Sequence, residues 1–410
     1  MAEAHIDVAH VPQPERRTEL DAIRALVVVG LVFFHSALVF DTRDDYYVKN
    51  AETTDATMIV AGLGMVWAMP TLFLVAGLGS WYSLRRRGPG GFATERLLRL
   101  GVPLVFATLT IIPVPQWLRL RADPAYHESY LQFLPRFFDI HLDLSDFPFI
   151  VAGEHFETGH LWFVEMLLAY ALLLALALRW LPRDLGHRIR DGLAVSMRRR
   201  GAVLLLPGIP IALITALHGM EEAFAGWSRW AYLLFFLYGF VLAADDRFRT
   251  AMRRDATLAL VAGLVFFSIG TPGFLAMSGT PGADPLTDMT ALAIGSRVLF
   301  GAAGWCCVVA ILGLLDRRRS ARNSTPDAEP RPRGGLGTRL YGYLAAAVLP
   351  LYILHQPIVV SVAYGVIRWD APMVLKYLAI VTASLTLTVA AYDLLVRRTR
   401  PTRFLFGMRN

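Results

Sequence analysis

Charged residues are scarce in this chain of 410 residues: they make up 18% of it, whereas hydrophobic residues make up 55%. Soluble domains carry about 25% charged residues, so a polar surface for a globule of this length is hard to assemble. The same composition excludes an intrinsically disordered chain, which combines low hydrophobicity with high net charge. The scarcity of charge therefore points to a membrane protein.

Cysteine is almost absent, and the two that occur, Cys306 and Cys307, are adjacent within an apolar run. This excludes a disulfide-rich secreted scaffold, and we interpret both as small apolar side chains. The sequence also lacks a Walker motif, an HExxH motif and a CxxC pair. The histidines outside the apolar stretches do not have the spacing of a metal site. We therefore expect no metal and no tightly bound cofactor.

Lysine is rare as well, with two residues against 38 arginines, and the net charge is +7. Basic charge can serve nucleic-acid binding or mark the cytoplasmic loops of a membrane protein. The arginines cluster in alternate loops between apolar stretches, and the opposite loops are acidic. This alternation follows the positive-inside rule and predicts both termini in the cytoplasm, with no nucleic-acid partner. The Arg-, Ala-, Gly- and Leu-rich composition is typical of a GC-rich bacterial genome.

Apolar stretches long enough to cross a lipid bilayer recur along the chain. The first twenty residues are polar and lack the features of a cleaved signal peptide, so we expect the first stretch to be a retained anchor. The sequence predicts an all-α, polytopic protein of the inner (plasma) membrane with about ten transmembrane helices. The predicted spans are 23–40, 58–83, 98–117, 160–181, 202–218, 229–244, 256–276, 290–315, 341–366 and 373–396.

One transmembrane domain, residues 23–396, accounts for most of the chain. We expect cytoplasmic tails on both sides of it, residues 1–22 and 397–410. Residues 118–157 are rich in Phe, Tyr and Pro. We expect them to form a long extracytoplasmic loop whose aromatic side chains lie partly at the membrane interface. Residues 316–338 are poor in apolar side chains and predict a flexible cytoplasmic linker.

Two ionisable side chains lie in the first predicted span, where burying charge is costly and needs a reason. Arg24 and His35 are separated by ten residues, so eleven helical steps place them on one face, about 16 Å apart in depth. Arg24 alone is consistent with a cytoplasmic anchor, and His35 alone with a bond to a neighbouring helix. Their shared face favours a joint functional role.

Several motifs, in order along the chain, resemble the acyltransferase-3 family of membrane proteins. Arg24 and His35 match its arginine–ten residues–histidine signature, and Arg96 and Arg99 in ATERLLRLGVPLVF fit its R-x-x-R element. GHLWFVEMLL resembles the helix that opens with His-Leu-Trp-Phe in the family, and LPLYILHQPIV resembles its late Tyr-x-x-His segment. The stretch MPTLFLVAGLGSWYS departs from the usual Phe-Phe-x-x-Ser-Gly and is closer to the branch resembling glucan-succinylating membrane enzymes.

The resemblance implies an acyltransferase, for groups other than aminoacyl groups, that is embedded in the lipid bilayer. Its expected reaction is O-acylation, which moves an acyl group such as acetyl or succinyl from cytoplasmic acyl-CoA to a hydroxyl. The hydroxyl belongs to a glycan, a lipid or a small molecule of the cell envelope. Acyl-CoA is then a co-substrate and not a bound cofactor. The departure in the second span leaves the acyl group and the acceptor open.

The catalytic residues expected from the resemblance and from residue chemistry are His35, Arg24 and Glu165. Imidazole titrates near neutrality, so His35 is expected to act either as a general base or as a transient acyl carrier. Glu165 is an acid inside the fourth predicted span, at a depth similar to that of His35. We therefore expect a hydrogen bond between them, directly or through one water, as in triad-type sites; the alternative is that Glu165 pairs with another group.

Two further sets of side chains are expected to bind substrates. Arg96 and Arg99 form an i,i+3 pair on one helical face, which suits the phosphates of acyl-CoA or an interfacial anchor. The expected acceptor-binding residues are His160, Trp162, Tyr352 and His355. The alternative for Trp162 is an interface anchor, and the alternative for His355 is a helix–helix hydrogen bond. The prolines around the Tyr-x-x-His segment predict an irregular backbone there.

The rival hypothesis is a secondary transporter or exporter with about ten spans. Transporters also place His, Glu and Arg inside the helix bundle and use helices broken by proline. They usually show paired halves, which this sequence does not. Consumption of acyl-CoA distinguishes the two hypotheses, because an enzyme cleaves its thioester and a transporter does not.

Overall fold

The computed structural model describes residues 18–323 and 336–408, and their secondary structure is almost entirely helical. The two β-strands in this part of the chain have two residues each. The α-helices are α1 (Thr18–Leu38), α2 (Ala56–Met65), α3 (Ala68–Arg96), α4 (Val102–Thr110), α5 (Pro113–Arg121), α6 (Tyr130–Phe137), α7 (Trp162–Trp180), α8 (Arg183–Ser196), α9 (Ala202–Leu217), α10 (Arg229–Leu242), α11 (Asp246–Ser278), α12 (Ala291–Asn323), α13 (Leu336–Val366), α14 (Met373–Ala391) and α15 (Arg400–Leu405).

Seven helical segments in the described residues are long and apolar enough to cross a membrane, by length and composition. The apolar helices α9 and α10 are shorter, with 16 and 14 residues. The expected all-helical, multi-pass architecture is therefore present, while the number of ten spans and the side of the termini stay predictions. The seven segments are Glu19–Leu38, Gly62–Arg121, Gly159–Trp180, Asp246–Ser278, Ala291–Ala321, Gly342–Val366 and Met373–Val396.

The longest of these segments, Gly62–Arg121, covers two of the predicted spans. Its backbone leaves helical geometry at Gly88, where φ is 69° and ψ is 173°. Glycine adopts such a conformation readily because it has no Cβ. Pro89 follows directly and cannot donate a backbone hydrogen bond. The break therefore separates the predicted spans 58–83 and 98–117 within one helical run.

The long helices carry large apolar side chains on their outer faces. Soluble monomers seldom expose contiguous apolar patches larger than a few hundred Å², whereas lipid chains cover such faces at no cost. This surface is what a multi-pass membrane protein requires. Side chains that are more than half exposed include Leu26, Val105, Leu205, Ile209, Val261, Ile269, Val374 and Leu395.

Helices α3 and α10 approach each other so closely that their backbones touch. A Cβ atom on Gly77 would lie 2.0 Å from the carbonyl oxygen of Phe236, and one on Gly239 would lie 1.9 Å from that of Leu74. Small residues permit this kind of helix contact in membrane proteins. Helix α7 packs on α3, while α1, α13 and α14 pack against one another. The turn that precedes α7, residues 159–161, contacts α13 next to α1, and the candidate site lies there.

The long loop begins after α5, at residue 122, and reaches residue 158. It folds into α6 and a two-stranded antiparallel hairpin, His141–Leu142 with Val151–Ala152. The rings of Phe133 and Phe137 are fully buried beneath it. Arg229, the first residue of α10, donates from Nη1 to the carboxylate of Asp146 at 2.7 Å. The loop is thereby held onto the helix bundle.

The predicted linker was wrong over residues 316–323, which are the last two turns of α12, and over residues 336–338, which begin α13. Asp316 is buried there and accepts a hydrogen bond from Arg249 of α11 at 2.6 Å. A charged segment that pairs with a neighbouring helix has the same composition as a flexible one, so composition could not separate the two. Residues 324–335 of the predicted linker and residues 1–17 of the predicted tail lie outside the described residues.

Candidate active site

Three imidazole rings from separate parts of the chain meet inside the bundle. His35 lies on α1, His355 on α13, and His160 in the short turn before α7. The ring centroids of His35 and His355 are 5.2 Å apart, and those of His355 and His160 are 4.9 Å apart. His355 and His160 are buried, whereas His35 is partly accessible. The structure thus brings together three residues that the sequence assigned to the site; we call them the histidine cluster.

The turn that carries His160 is fastened to α13 by three hydrogen bonds. Its backbone N–H donates to Oε1 of Gln356 at 3.2 Å. Its ring Nε2 donates to the carbonyl oxygen of Ile353 at 3.0 Å. The hydroxyl of Tyr352 donates to the carbonyl oxygen of His160. With both backbone groups and one ring nitrogen held, the position and the orientation of this imidazole are fixed.

The carbonyl oxygen of Ile353 is free to accept the imidazole because of Pro357. In an α-helix the carbonyl of one residue accepts from the N–H four residues later, and proline has no N–H. The irregularity predicted around Pro350 and Pro357 is therefore a missing helical hydrogen bond within α13, which continues through both prolines. His160 supplies the donor that the helix lacks at this point.

Backbone carbonyls set the tautomers of two imidazoles. A carbonyl oxygen can only accept, so the neutral His160 ring carries its hydrogen on Nε2. The neutral His355 ring carries its hydrogen on Nδ1, which donates to the carbonyl oxygen of Tyr352 at 2.5 Å. The opposite nitrogens are then lone-pair acceptors. Both of them, Nδ1 of His160 and Nε2 of His355, are buried without a partner in the described part of the chain. The cluster thus holds two proton acceptors of fixed orientation.

His35 differs from the other two histidines because neither of its ring nitrogens is hydrogen-bonded to a residue that the structure describes. The ring of Tyr46 stacks on it with a centroid distance of 5.9 Å, and Phe34 meets it edge-on at 5.2 Å. The hydroxyl of Tyr46 is also buried, and its polar neighbour is the side-chain amide of Gln356. An imidazole with neither nitrogen committed can take up a proton and return it, as general-base catalysis requires.

The predicted direct hydrogen bond between Glu165 and His35 was wrong, since no such bond joins these two described residues; a contact through one water stays a prediction. One carboxylate oxygen of Glu165, Oε2, is buried without a partner in the described residues, and its polar neighbours are Thr158 and Asp146 of the long loop. The prediction rested on equal depth in the membrane. Depth along a helix does not specify the direction of a side chain around the helix axis. Glu165 faces the long loop, whereas His35 faces α13.

Trp162 lies beside the histidine cluster, in a group of aromatic rings. Its ring stacks on Tyr232 at a centroid distance of 5.5 Å and lies 5.4 Å from Phe224 and 6.4 Å from Phe73. These contacts pack the start of α7 against α3 and α10. Its expected role in substrate binding stays a prediction, because the structure joins it to these rings and not to the imidazoles.

Arg96 and Arg99 lie around one carboxylate, that of Glu95. Nη1 of Arg99 is 3.4 Å from the carboxylate, Nε of Arg96 is 4.0 Å from it, and a third guanidinium, that of Arg87, is 3.9 Å from it. Arg99 also donates from Nε to the carbonyl oxygen of Gly407 in the C-terminal segment, at 3.4 Å. Three guanidiniums thus lie close together around one carboxylate, and guanidiniums are the donors that bind phosphates in a bidentate manner.

Arg24 connects α1 to α3. It donates to the carboxylate of Asp21 at 2.9 Å and to the carbonyl oxygen of Val75 at 3.3 Å. Because α1 is one continuous helix, Arg24 and His35 are about 16 Å apart along its axis. The structure therefore places a guanidinium at one end of this helix and the candidate base near the other end.

Sequence reasoning missed two side chains of the site, Gln356 and Tyr46. Gln356 lies one helical turn after Tyr352 and next to His355, so the 3.6-residue period placed it near the site once α13 was recognised. Tyr46 belongs to the loop after α1, and no spacing rule connects a loop residue with an imidazole inside a helix. In the described residues no group of three or more His, Cys, Asp or Glu side chains is arranged to hold a metal ion.

Comparisons with known proteins indicate one reaction class. The acyltransferase-3 family model, described as an acyltransferase domain, matches residues 17–393. The chain is also similar to glucans biosynthesis protein C of Salmonella gallinarum, with 22% identity over 213 residues. That match covers 50% of this chain and 50% of that protein, so the chain spans about half the length of this relative. No solved structure matches the chain.

Proposed function

The chain belongs to the acyltransferase-3 family, and on that premise we propose that it transfers an acyl group from acyl-CoA to a glycan hydroxyl, with His35 as the general base. The observation that carries this proposal is the histidine cluster, in which one uncommitted imidazole lies beside two imidazoles of fixed tautomer. A glycan acceptor is supported by the similarity to a protein whose name refers to glucans.

The proposed reaction balances without any further reactant. The oxygen of the acceptor hydroxyl attacks the carbonyl carbon of the thioester while His35 removes the hydroxyl proton. The new C–O bond forms, the C–S bond breaks, and His35 returns the proton to the thiolate sulfur of CoA. The products are the O-acyl ester and free CoA, and the imidazole is neutral again.

His35 is assigned as the base because it is the partly accessible imidazole of the three. Nε2 of His355 and Nδ1 of His160 bear lone pairs and have no other partner among the described residues. When His35 takes up the proton, these lone pairs can accept a hydrogen bond from the imidazolium and stabilise it. In this scheme His160 and His355 are positioning residues that act through His35.

The hydroxyl of Tyr46 is the donor that we assign to the negative charge developing on the thioester oxygen. It is buried beside His35, with the side-chain amide of Gln356 as its polar neighbour, and a hydroxyl can turn its hydrogen from such a neighbour toward a substrate oxygen. Donors that point to a developing oxyanion in a site from which water is excluded stabilise the transition state strongly. Tyr46 would therefore act at the same carbonyl group that the acceptor hydroxyl attacks.

Acyl-CoA enters this scheme as a co-substrate held at its anionic end. Arg96 and Arg99 supply guanidinium donors for its phosphates, and the flexible arm of the coenzyme carries the thioester toward His35. Arg24 lies on the helix that joins the two regions and would orient the arm near its phosphate end. The positive-inside pattern supports a cytoplasmic position for this arginine group.

The experiment that tests the proposed function is product analysis with the full-length protein in lipid vesicles. Labelled acetyl-CoA or succinyl-CoA is supplied with a glucose oligosaccharide, and mass spectrometry looks for an ester on the sugar. We expect an ester with the wild type and with His127→Ala, a change at an exposed loop histidine, and none with His35→Ala. Movement of the sugar across the vesicle membrane without consumption of acyl-CoA would identify a transporter and contradict the proposal.

A further inference from the structure

A cavity outside the histidine cluster lies between the long loop and the start of α7; we call it the loop cavity. Its volume is about 240 Å³. Pockets for drug-sized ligands usually measure roughly 300–1,000 Å³, so the loop cavity suits one small ring and not an extended chain. Acidic, hydroxyl-bearing and aromatic side chains line it. The lining side chains include Asp146, Phe149, Phe156, Glu157, Thr158 and Glu165.

Two of the three carboxylates in the loop cavity already have partners. Asp146 pairs with Arg229 at 2.7 Å. Glu157 accepts a hydrogen bond from the hydroxyl of Tyr47 at 2.5 Å, and burial raises the pKa of its carboxyl group. Glu165 is different, because its Oε2 is buried and has no hydrogen-bond partner in the described residues. An unpaired carboxylate oxygen is costly to bury, and a hydrogen-bond donor on a ligand would remove that cost.

The loop cavity adjoins the histidine cluster along the chain. Thr158 lines the cavity and His160 belongs to the cluster, so only Gly159 lies between them. Gly159 has a φ of 51°, and a Cβ atom there would lie 3.4 Å from the hydroxyl oxygen of Tyr47 and 3.6 Å from Oε1 of Gln356. The cavity wall at Thr158 is therefore directly continuous with the turn that carries the imidazole of His160.

A second connection runs through two neighbouring tyrosines. Glu157, in the wall of the loop cavity, is bonded to Tyr47. The ring of Tyr47 meets that of Tyr46 at a centroid distance of 5.3 Å, and Tyr46 stacks on His35. The loop cavity and the candidate base are thus connected through two tyrosine rings in succession.

We propose that the loop cavity binds a sugar ring of the acceptor and that Oε2 of Glu165 accepts a hydrogen bond from one of its hydroxyl groups. This inference rests on the proposed function, which requires an acceptor hydroxyl near His35. An unprotonated carboxyl oxygen accepts hydrogen bonds, so Oε2 of Glu165 matches a hydroxyl donor of a neutral sugar. Phe149 and Phe156 offer apolar surface to the C–H groups of the ring.

The same lining disfavours the other substrate. Acyl-CoA is anionic, and its phosphates are best bound by cationic side chains. No cationic side chain is among the described residues that line the loop cavity, so we assign acyl-CoA to the arginine group around Glu95. Two substrates of different charge are in this way assigned to two different regions of the protein.

The test is saccharide binding to the His35→Ala protein, which keeps the loop cavity but lacks the proposed base. Hydrogen exchange of the amides in residues 146–158 is followed in full-length protein while a short glucose oligosaccharide is titrated. We expect the oligosaccharide to slow exchange in this segment with and without His35. Adding Glu165→Gln should raise the concentration for half-maximal protection at least about tenfold, as expected for a lost hydrogen bond to a charged group.

A matched control is Glu154→Gln, because Glu154 lies in the same loop, is 85% exposed and does not line the loop cavity; it should leave the titration unchanged. Ala152→Phe, which fills the cavity from the hairpin, should abolish protection and serves as the second variant if Glu165→Gln does not fold. Protection by coenzyme A or by Mg²⁺ alone, without protection by the saccharide, would overturn the inference. So would a titration that Glu165→Gln leaves unchanged. Absence of acyl transfer by the wild type would instead contradict the proposed function alone, because binding is scored without His35.

Discussion

The ring Nε2 of His160 donates to the carbonyl oxygen of Ile353 at 3.0 Å, and this is the carbonyl that Pro357 leaves without a helical partner. Pro357 thus leaves a carbonyl oxygen of α13 available to the imidazole of His160, which lies in the turn before α7. A carbonyl acceptor cannot exchange roles with its donor, so the contact also determines which nitrogen of His160 bears the proton. The geometry of the histidine cluster therefore depends on a residue that contacts no substrate in our scheme.

Replacing this proline should weaken the site. Pro357→Ala restores an N–H that competes with His160 for the carbonyl oxygen of Ile353. A hydrogen bond of this kind contributes about 1 kcal/mol, so we expect kcat for acyl transfer to fall about fivefold, with a much smaller change in KM for acyl-CoA. Steady-state kinetics of the purified protein in vesicles measures both constants.

The matched control lies in the same helix. Pro350→Ala restores an N–H that pairs with the carbonyl of Ala346, four residues earlier in α13 and remote from the turn of His160. We expect this variant to transfer acyl groups at nearly the wild-type rate. Equal losses in the two variants would show that the prolines act through the shape of α13 as a whole and not through His160.

The sequence was informative about which residues form the site and poor at pairing them. His35 was predicted because a polar group inside an apolar helix is costly and needs a function, whereas His160 and His355 were predicted from the motifs that resemble the family. The direct pairing of His35 with Glu165 was wrong because equal depth on two helices leaves the rotation of each helix undetermined. The contribution of Tyr46 was not accessible, since it depends on how a loop folds back over α1.

The fold was predicted in the same uneven way. Apolar length identified the helices, because it is a local property of the sequence. The close contact between Gly77 and the backbone of α10 was not predicted, since either glycine alone is consistent with many neighbours. The helical end of α12 was missed because an arginine-rich segment has the composition of a linker. Its helical state depends on contacts with α11: Asp316 accepts a hydrogen bond from Arg249, and Arg317 donates to the carbonyl oxygen of Arg253.

A second prediction concerns the binding of the donor. Arg96→Ala combined with Arg99→Ala should raise KM for acyl-CoA at least about tenfold, because each lost contact with a phosphate costs roughly 1.5–3 kcal/mol. A short acyl thioester without the nucleotide should be affected much less. Arg86→Ala, at an exposed position in the preceding basic segment, is the control and should change neither value. Equal losses with both thioesters would mean that Arg96 and Arg99 only position the helix.

A third prediction concerns stability and pH. Burial raises the pKa of Asp44 from 3.8 to about 6, so between these values the folded protein binds more protons than the unfolded one. Stability from this group therefore falls as pH rises from about 4 to 6 and stays constant above. Asp44→Asn removes the effect, so its Tm should exceed that of the wild type by more at pH 7 than at pH 4.

Thermal unfolding at the two pH values checks this expectation. Glu52→Gln is the control, since Glu52 is an exposed carboxylate of the same loop, and its Tm should follow the wild type at both pH values. If the Tm difference between Asp44→Asn and the wild type is the same at pH 4 and pH 7, the carboxyl group of Asp44 does not titrate in this window. The loop that carries Tyr46 would then not be sensitive to its charge.

A fourth prediction concerns orientation in the membrane. The alternation of basic and acidic loops predicts that a reporter inserted next to Asp143 is outside the cytoplasm and that one next to Thr325 is inside. An enzymatic reporter that is active on only one side of the membrane, placed at each position in turn, provides the measurement. A cytoplasmic signal from the insertion at Asp143 would invert the assignment of all loops and place the loop cavity on the side of acyl-CoA.

The most direct test of the central claim is the rate of acyl transfer in a single turnover with His35→Ala. Labelled acyl-CoA and a saturating glucose oligosaccharide are mixed with excess protein in vesicles, and the ester is quantified over time. General-base catalysis contributes about 10²–10⁴-fold to such rates, so we predict a loss of that size in a variant whose helical content and Tm match the wild type. A rate within about tenfold of the wild type would contradict the assignment of His35 as the base.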